Sequence, residues 1–531
     1  MIVAAPLAYL SVEGVDHQMA YMLSASLALA GCVLGAIWGI RRYVDSWQKR
    51  LVLALAIASC GWLLIRTVEF RGFSGELVPQ FKWKTKVVKK LPDAPRAIDP
   101  KVVDLLDTQS DPLDIDSKVD DPIAPKDFFT QFMGNHRDGS IDGSPITGDW
   151  STKPLQVLWE TPVGAAWSGF VVSDGLAITQ EQYEGKDAVT AFELSSGRVV
   201  WRSLTSRQHY HPAGGAGPRA TPTIHANMVF AQSSTGIVTS MALRTGKLNW
   251  SIDLLAKAGI DQTTAEIPVT WGRSGSPLIV SDLVVVPLGA GVTKVKQTDA
   301  SGLIALDLST GEERWRAGDS QISYASPSIM TISGKEQIVI VNEADVTGHE
   351  VNSGKVLWKI DWPGASNSSP AVSQATLVDE KSLLLSKGYG GGSKLIEFPV
   401  PFDTLKPIKT VWASTATMKT KFMSPVVSKD YVYGLSDGIL ECIRWSDGKR
   451  MWKDNKDGRL GHGQLLRIGD QLLCISEDGR LVLTQATPTK PTSYERMSLL
   501  EGITWNPLAL VGDLVLVRNA EKAVCLRVKR N

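Results

Sequence analysis

The strongest constraint on the fold is a short pattern that recurs five times between residues 195 and 452. Each copy consists of a Gly, three further residues and a Trp: SSGRVVW (195–201), RTGKLNW (244–250), STGEERW (309–315), NSGKVLW (352–358) and SDGKRMW (446–452). Gly supplies the positive φ angle of a tight hairpin turn. The Trp then lies on the strand leaving that turn, where its flat ring can cover a neighbouring sheet. The pattern predicts a series of similar hairpins.

The series extends beyond these five copies. Two weaker copies end at Trp159 and Trp412, and SYERMSL places Met497 at the eighth equivalent position. A period of about 40–50 residues with four short strands each is typical of propeller blades. Upstream of several copies, elements such as ASPSIMTISGKEQIVIV give each unit its first two strands. We therefore predict an all-β, eight-bladed β-propeller of four-stranded antiparallel blades. Its last blade is completed by the isolated strand at 155–164, which closes the ring and removes free edges.

Two apolar runs near the N-terminus predict a transmembrane helical hairpin. Residues 19–40 carry no charge and span about 33 Å as a helix, whereas 51–65 span only about 22 Å. The loop between them is rich in Arg and Lys, so the positive-inside rule places it in the cytoplasm. A buried core helix is the alternative for each run, and losing the second span would put the large domain in the cytoplasm. The predicted organisation is a membrane anchor at 1–70, a juxtamembrane segment and disordered acidic, Pro-rich linker at 71–125, and the propeller at 126–531, at the inner membrane with the large domain extracytoplasmic or periplasmic.

Composition excludes several other classes of protein. The net charge is +1 over 531 residues, which gives no electrostatic case for nucleic acid as a partner. The five Cys form no C-x-x-C pair, so the sequence supports neither a disulfide framework, nor a zinc site, nor a c-type haem. The predicted partners are membrane lipid, through the N-terminal helices, and proteins or a small ligand bound by the propeller.

Several motifs resemble one family of propellers. ALDLSTGEERW contains Ala305, Asp307, Gly311 and Trp315, and it looks like the tryptophan-docking motif of PQQ-like (quinoprotein-type) eight-bladed propellers. QFMGNHRDG (131–139), GGAGPRATPTI (214–224) and FRGFSGELVPQFKWK after the hairpin resemble a membrane-anchored bacterial branch of that family. The resemblance implies a structural role between blades for the docking residues, which are Gly197, Trp201, Gly246, Trp250, Ala305, Asp307, Gly311, Trp315, Gly354, Trp358, Gly448 and Trp452.

Long insertions predict where a ligand would bind. They occupy 203–219, 254–272, 288–301 and 387–394, and the strand assignment puts all four on the face opposite the Gly turns. The candidate binding residues there are His209, His211, Arg219, Trp271, Arg273 and Tyr389. His209-x-His211 could hold a metal, but no third ligand follows at a suitable spacing, so solvent-facing His residues are the alternative and no metal site is predicted. The two Arg residues could bind a carboxylate, or they could bond loop carbonyls.

Two functional hypotheses follow. The first is a non-catalytic binding or scaffold propeller without a cofactor, analogous to the outer-membrane assembly propellers of the same family. The second is a PQQ-dependent membrane dehydrogenase that oxidises alcohols or sugars and holds PQQ with Ca²⁺. The sequence lacks the adjacent Cys pair that such alcohol dehydrogenases carry, and it contains no recognisable catalytic constellation. We therefore predict no catalytic residue and favour the first hypothesis.

Overall fold

The computed structural model describes residues 31, 35, 38, 42, 46–76, 78–84, 128–205, 207–289 and 302–530. The chain divides into two compact units, which are considered in turn. In the first, helix α1 (Trp47–Thr67) leads directly into strands β1 (Val68–Phe73) and β2 (Pro79–Trp83). The two strands are antiparallel, with Phe70 opposite Phe81 and their ring centroids 5.7 Å apart. Part of the predicted juxtamembrane segment is thus a β-hairpin.

The predicted transmembrane hairpin is not confirmed by the residues that the structure describes. No helix within the described ranges is both long enough and apolar enough to cross a membrane. Helix α1 contains the second predicted span, 51–65. Arg50 and Arg66 lie within the helix, immediately before and after that span. Those 15 residues rise about 22 Å as a helix, which is less than the roughly 30 Å of a bilayer core. The first predicted span, 19–40, lies outside the described residues except at positions 31, 35 and 38. Residues 85–127 also lie outside them, and these include most of the juxtamembrane segment and linker predicted at 71–125.

Among the described residues, the second unit contains eight sheets that share one plan of four antiparallel strands. Three strands precede them along the chain: β3 (Ser140–Ile141), β4 (Ile146–Thr147) and β5 (Gln156–Pro162). Sheet 1 consists of β6 (Val171–Ser173), β7 (Leu176–Tyr183), β8 (Lys186–Glu193) and β9 (Val199–Leu204). Two short strands follow it, β10 (Tyr210–His211) and β11 (Gly215–Ala216). Sheet 2 consists of β12 (Thr223–His225), β13 (Met228–Gln232), β14 (Ile237–Ala242) and β15 (Leu248–Asp253).

Sheets 3 to 5 repeat this plan after helices α2 (Leu254–Ala258) and α3 (Gln262–Glu266). Sheet 3 consists of β16 (Leu278–Val280), β17 (Leu283–Pro287), β18 (Leu303–Asp307) and β19 (Glu313–Ala317). Sheet 4 consists of β20 (Ser328–Ile332), β21 (Lys335–Val341), β22 (Asp345–His349) and β23 (Val356–Asp361). Sheet 5 consists of β24 (Thr376–Leu377), β25 (Ser382–Lys387), β26 (Gly392–Glu397) and β27 (Lys409–Ser414).

Sheets 6 to 8 complete the series, and the last one recruits a strand from the beginning of the unit. Sheet 6 consists of β28 (Val426–Ser428), β29 (Tyr431–Ser436), β30 (Ile439–Arg444) and β31 (Arg450–Lys453). Sheet 7 consists of β32 (Gln464–Ile468), β33 (Gln471–Ile475), β34 (Arg480–Gln485) and β35 (Glu495–Ser498), with β3 added parallel to β32. Sheet 8 consists of β36 (Ala509–Val511), β37 (Leu514–Arg518), β38 (Lys522–Arg527) and β5. The pairing of β5 with β38 confirms the predicted use of the isolated strand; the last strand, β39 (Lys529–Arg530), pairs with β4.

Hydrogen bonds between the segments that lead into the first strands connect the sheets in order. Each link joins one sheet to the next at 2.7–3.0 Å, and the last link joins sheet 8 to sheet 1: Gly169 N to Thr221 Oγ1, Thr221 N to Ser276 Oγ, Ser276 N to Ser326 Oγ, Ala371 N to Ser323 Oγ, Gln374 N to Ser424 Oγ, Gln464 Nε2 to Phe422 O and to Trp505 O, and Asn506 Nδ2 to Ala166 O. Most of these acceptor hydroxyls belong to the Ser-Pro or Thr-Pro steps seen in the sequence.

The core lies between neighbouring sheets. Strand β17, LVVVP, is buried on both faces, as its continuous apolar sequence suggests. Leu283 and Val285 join the cluster shared with sheet 4, whereas Val284 and Val286 join the cluster shared with sheet 2. Successive side chains of β17 point to opposite faces of its sheet, so this one short strand contributes to two separate cores.

The repeated Trp and Gly residues meet across sheet boundaries. Trp201 of sheet 1 donates from Nε1 to Leu243 O of sheet 2 at 2.9 Å, and its ring lies over Gly246 of the sheet 2 turn. The same arrangement joins Trp159 to Gly197, Trp250 to Gly311, Trp315 to Gly354 and Trp412 to Gly448. Ala305 lies opposite Trp315 in sheet 3, and Asp307 accepts from the N–H groups of Ser309 and Thr310. Trp452 instead bonds Thr487 O, and Trp358 bonds Gln337 within its own sheet.

Residues 128–141, the axial segment, run between the first strands. Phe129 exchanges two backbone hydrogen bonds with Val172 of sheet 1, and Thr130 O accepts from Ile224 N of sheet 2. Arg137 donates to Ser276 O at 3.1 Å and to Pro277 O at 3.0 Å, just before β16. Further bonds reach sheets 5 and 7, from Gln374 Nε2 to Arg137 O and from Arg467 N to Gly139 O. The segment thus fills space among the first strands and ties five sheets together.

Candidate functional site

The end of the sheets opposite the Gly turns, here called the loop face, carries every connection from one sheet to the next. Each of the eight connections contributes an aromatic or imidazole ring, and these rings are called the collar: Trp167, His209 with Tyr210 and His211, Trp271, Tyr324, Trp362, Phe422, His462 and Trp505. Apart from Phe422, these rings combine apolar area with a polar group, which suits binding surfaces. The opposite end, the turn face, carries the docking Gly residues and has no comparable set among the described residues.

Four of the predicted binding residues lie in one part of the collar. The rings of His211 and Trp271 are 6.4 Å apart, and that of Trp271 is 5.5 Å from Tyr324. His209 is buried, with Nδ1 3.3 Å from Glu266 Oε1 of α3, and its Nε2 has no hydrogen-bond partner among the described residues. Burial, followed by the charge of Arg219, lowers the pKa of His209 to about 4. The same two causes lower the pKa of His211.

A buried carboxyl group completes this part of the site. Asp187, at the start of β8, accepts hydrogen bonds from both N and Oγ of Ser234, the latter at 2.5 Å. Its other carboxyl oxygen is buried without a partner in the described chain. Burial raises the pKa of Asp187 to about 6, although the nearby Arg219 acts in the opposite direction. Burial also lowers the pKa of Arg219 itself to about 10.

The other two predicted binding residues lie apart from this group. Arg273 is buried and donates from Nη1 to Pro287 O at 3.1 Å, while its own N–H bonds Ser234 O. Its side chain thus bonds a main-chain carbonyl at the end of β17. Tyr389 is in the turn between β25 and β26, where Lys421 Nζ lies 5.3 Å from the centre of its ring. The insertion at 288–301 lies mostly outside the described residues.

A second ring cluster was missed by the sequence reasoning. Trp505 lies 4.7 Å from Trp167 and 4.8 Å from Phe422, and Phe422 lies 5.5 Å from His462, measured between ring centroids. Glu477 accepts from Trp505 Nε1 at 2.9 Å and from His462 N at 3.0 Å. These residues are separated by up to 338 positions in the chain, so no local motif reveals them. One sequence signal could have indicated some of the collar rings. In YASP (324–327), FMSP (422–425) and WNP (505–507), an aromatic residue lies two or three positions before a Pro.

The metal-ligating and thiol groups of the described residues bear on metal binding and covalent chemistry. No three His, Cys, Asp or Glu side chains within the described ranges are placed to share a metal ion. Cys442, Cys474 and Cys525 are buried within the sheets, where burial raises the pKa of each thiol to about 12 and keeps it protonated. What the loop face does offer is a set of rings, of which Tyr210 is exposed and the others are half-buried or buried, with charged groups beside several of them. Such a composition is found in ligand and protein sites.

The buried His209 makes stability depend on pH in a predictable direction. Its pKa is about 4 when folded and about 6.5 when unfolded, so the unfolded chain binds more protons between those values. Stability should therefore fall as pH decreases from about 6.5 to about 4. Urea unfolding at pH 7.5 and at pH 4.5 measures the loss, which is the difference between the two free energies of unfolding. We expect this difference to be about 2 kcal/mol smaller in His209→Gln than in the wild type. His225→Gln, at an exposed His, is the control. An equal loss in wild type and His209→Gln would contradict the burial argument.

Comparisons with known proteins identify relatives of the chain. A family model described as outer membrane protein assembly factor BamB matches residues 150–286 and 274–454, which together exceed half of the chain. BamB of Shewanella oneidensis is 21% identical over 376 residues, covering 64% of this chain and 91% of that protein. BamB of Yersinia pestis is 20% identical over 327 residues, covering 59% and 70%.

Solved structures share the fold at low identity. A europium-containing methanol dehydrogenase superposes with a TM-score of 0.53 at 12% identity, covering 73% of this chain and 89% of its own. The quinohemoprotein alcohol dehydrogenase of Comamonas testosteroni gives a TM-score of 0.51 at 12% identity, covering 77% and 81%. At this identity the similarity concerns the fold alone.

The predicted localisation was wrong. The curated relatives are named as outer membrane protein assembly factors, and no helix within the described ranges is long and apolar enough to cross a membrane. Neither an inner-membrane anchor nor lipid contact through N-terminal helices is therefore supported. The matched family model, the contacts between docking Trp and Gly residues, and the four-stranded antiparallel sheets all indicate the same family. The chain belongs to the PQQ-like β-propeller family whose model is described as outer membrane protein assembly factor BamB.

Proposed function

We propose that the protein is a non-catalytic scaffold that binds a partner protein on its loop face, in the manner of a factor for outer membrane protein assembly. The observation that carries this proposal is the collar, since all eight sheet connections place a ring on the same face. The similarity to BamB of two organisms, each covered over most of its length, supports the same class of function. Aromatic residues are enriched at protein interfaces because they bury large areas at low entropic cost.

We further propose that the eight sheets are the blades of one closed propeller. The pairing of β5 with β38 supports closure, because it joins the first strand of the unit to its last sheet. Hydrogen bonds also join each connection between sheets to the next one along the series. The last of them, from Asn506 Nδ2 to Ala166 O, joins sheet 8 to sheet 1 and supports the same arrangement. A closed ring with the axial segment at its centre would hold the collar rigidly, which lowers the entropic cost of binding.

A PQQ-dependent dehydrogenase is the second candidate, favoured only by the shared fold. A quinone with Ca²⁺ needs acidic or amide ligands around the cation, and no such group of acidic side chains occurs within the described ranges. The three Cys residues of the sheets are buried in separate strands rather than adjacent in a loop. These features do not fit the cofactor, so we propose that the protein works without it.

Site-specific photo-crosslinking tests the proposed function. A photoreactive residue replaces either Tyr210, 66% exposed on the loop face, or Leu405, 92% exposed on the turn face, in the full chain expressed in its native host. We expect a discrete protein adduct from Tyr210, identified by mass spectrometry, and none from Leu405. Adducts from Leu405 alone would refute a loop-face scaffold. Turnover of alcohols or sugars after addition of PQQ and Ca²⁺ would instead establish the second candidate.

A further inference from the structure

Two lysine side chains flank one collar residue where sheet 4 connects to sheet 5. Trp362 follows β23 and is buried, and the Nζ atoms of Lys387 and Lys394 each lie 5.3 Å from the centre of its ring. Each ammonium also donates to a main-chain carbonyl next to that Trp: Lys394 to Asp361 O at 3.1 Å, and Lys387 to Pro363 O. The ring and the carbonyls on either side of it thus hold both cations beside Trp362.

Neither lysine has a counter-ion in the described chain. No carboxylate oxygen among the described residues lies within 4.0 Å of either Nζ atom. Lys387 is only 4% exposed, and burial, followed by the charge of Lys394, lowers its pKa. Two neighbouring cations without an anion repel each other, and a buried charge is costly when unpaired. An anion that binds between them would relieve both costs.

The charged side chains that sheet 5 contributes to the part of the loop face around Lys387 and Lys394 are all positively charged. Residues 386–394 and 414–421, which form that end of the sheet, contain four Lys and no Asp or Glu. Lys419 is neutralised by Asp437 of sheet 6. The nearby Glu343 uses Oε1 to accept from Ser366 N at 2.8 Å. Of these four lysines, Lys387 and Lys394 are the two that lie beside Trp362.

We propose that Lys387 and Lys394 form an anion site that binds the carboxylates of an acidic segment of the partner protein. Lys394 is half-buried and would contact the carboxylate directly. Lys387 is buried more deeply, and its positive charge would stabilise the bound carboxylate electrostatically. The site lacks the Arg fork or the Gly loop before a helix that phosphate groups favour, because residues 388–391 simply join two strands. This inference rests on the proposed function, since it assigns chemistry to one part of the loop face.

Peptide binding by the full chain tests this site without the natural partner. Fluorescein-labelled hexaglutamate is titrated and followed by anisotropy, with labelled hexaglutamine as the neutral control and pyrophosphate as the competing phosphate. We expect Lys387→Gln/Lys394→Gln to weaken hexaglutamate binding by about tenfold or more, and Lys394→Gln alone to weaken it by about threefold. The matched control is Lys406→Gln/Lys409→Gln, which removes two charges at the turn-face end of sheet 5 and should leave affinity unchanged.

The outcomes separate this inference from the proposed function. Lys394→Gln, at a half-buried position, keeps the test valid if the double variant fails to fold. Unchanged hexaglutamate affinity in Lys394→Gln, or stronger binding of pyrophosphate than of the peptide, would overturn the acidic-segment site. If that happens while Tyr210 still crosslinks to a partner, only this inference fails. If lysine-dependent binding occurs while adducts form only at Leu405, the anion site stands and the scaffold function fails.

Discussion

Arg137→Met should lower the free energy of unfolding by about 3–5 kcal/mol, one of the two largest effects expected for a single substitution in this chain. The Arg137 side chain is buried at the centre of the axial segment and donates to Ser276 O, Pro277 O and Gln131 Oε1. Burial lowers its pKa to about 9, so it remains charged at neutral pH. Met fills similar volume but leaves the two carbonyls before β16 without donors.

Urea unfolding of the full chain at pH 7.5 measures this effect. Arg244→Met is the matched control, because its side chain is 73% exposed and the one ion pair that it forms with a described residue, Asp174, is 3.9 Å long. That control should change the free energy of unfolding by less than about 0.5 kcal/mol. A loss of under about 1 kcal/mol in Arg137→Met would show that the axial segment contributes little to holding the first strands together.

Gly246→Ala is expected to cost about 3 kcal/mol, most of it from a clash with the docked Trp. A Cβ at Gly246 would lie 2.6 Å from Trp201 Cδ2, and the ring cannot move because its Nε1 is bonded to Leu243 O. Gly259→Ala provides a close control. Both glycines have φ of +67°, but a Cβ at Gly259 meets nothing within 4 Å. Gly259→Ala should therefore cost only about 1–2 kcal/mol for the left-handed backbone.

The difference between the two Ala variants isolates the docking contact. Thermal and urea unfolding of both variants should separate them by more than about 1 kcal/mol, and Trp201→Leu should reduce the cost of Gly246→Ala in a double-mutant cycle. Equal costs for Gly246→Ala and Gly259→Ala would mean that the Gly is needed only for its φ angle. In that case Trp201 would not restrain the neighbouring sheet.

The repeated motif predicted the sheets well because one physical requirement recurs at each boundary. A Gly with positive φ and a Trp four positions later can be read in any copy, and the structure places them against each other in successive sheets. Trp358 and Trp452 are exceptions, because the turns of sheets 5 and 7 that follow them contain no Gly. Phe398 packs 4.9 Å from the Trp358 ring instead, and Trp452 Nε1 donates to Thr487 O. An exception of this kind depends on the neighbouring sheet, which the local sequence does not specify.

Two features of the candidate site could not be predicted from residue types. Arg273 bonds a main-chain carbonyl, and every residue offers such an acceptor, so the sequence does not distinguish this role from ligand binding. The ring cluster of Trp167, Phe422 and Trp505 is assembled from three distant connections. Similarly, QFMGNHRDG signalled a family but not a position, because its partners are backbone atoms of sheets 3 and 7 and the Gln374 side chain of sheet 5. Long-range backbone contacts carry little sequence information.

The central claim is that the loop face, and not the turn face, meets the partner. Hydrogen–deuterium exchange of the full chain, alone and with the partner identified through the Tyr210 crosslink, tests it most directly. We predict added protection in the connections at 207–222, 254–276 and 362–375, with the docking turns around Gly246 and Gly448 unchanged. Protection confined to those turns, with the connections unaffected, would contradict the proposed function.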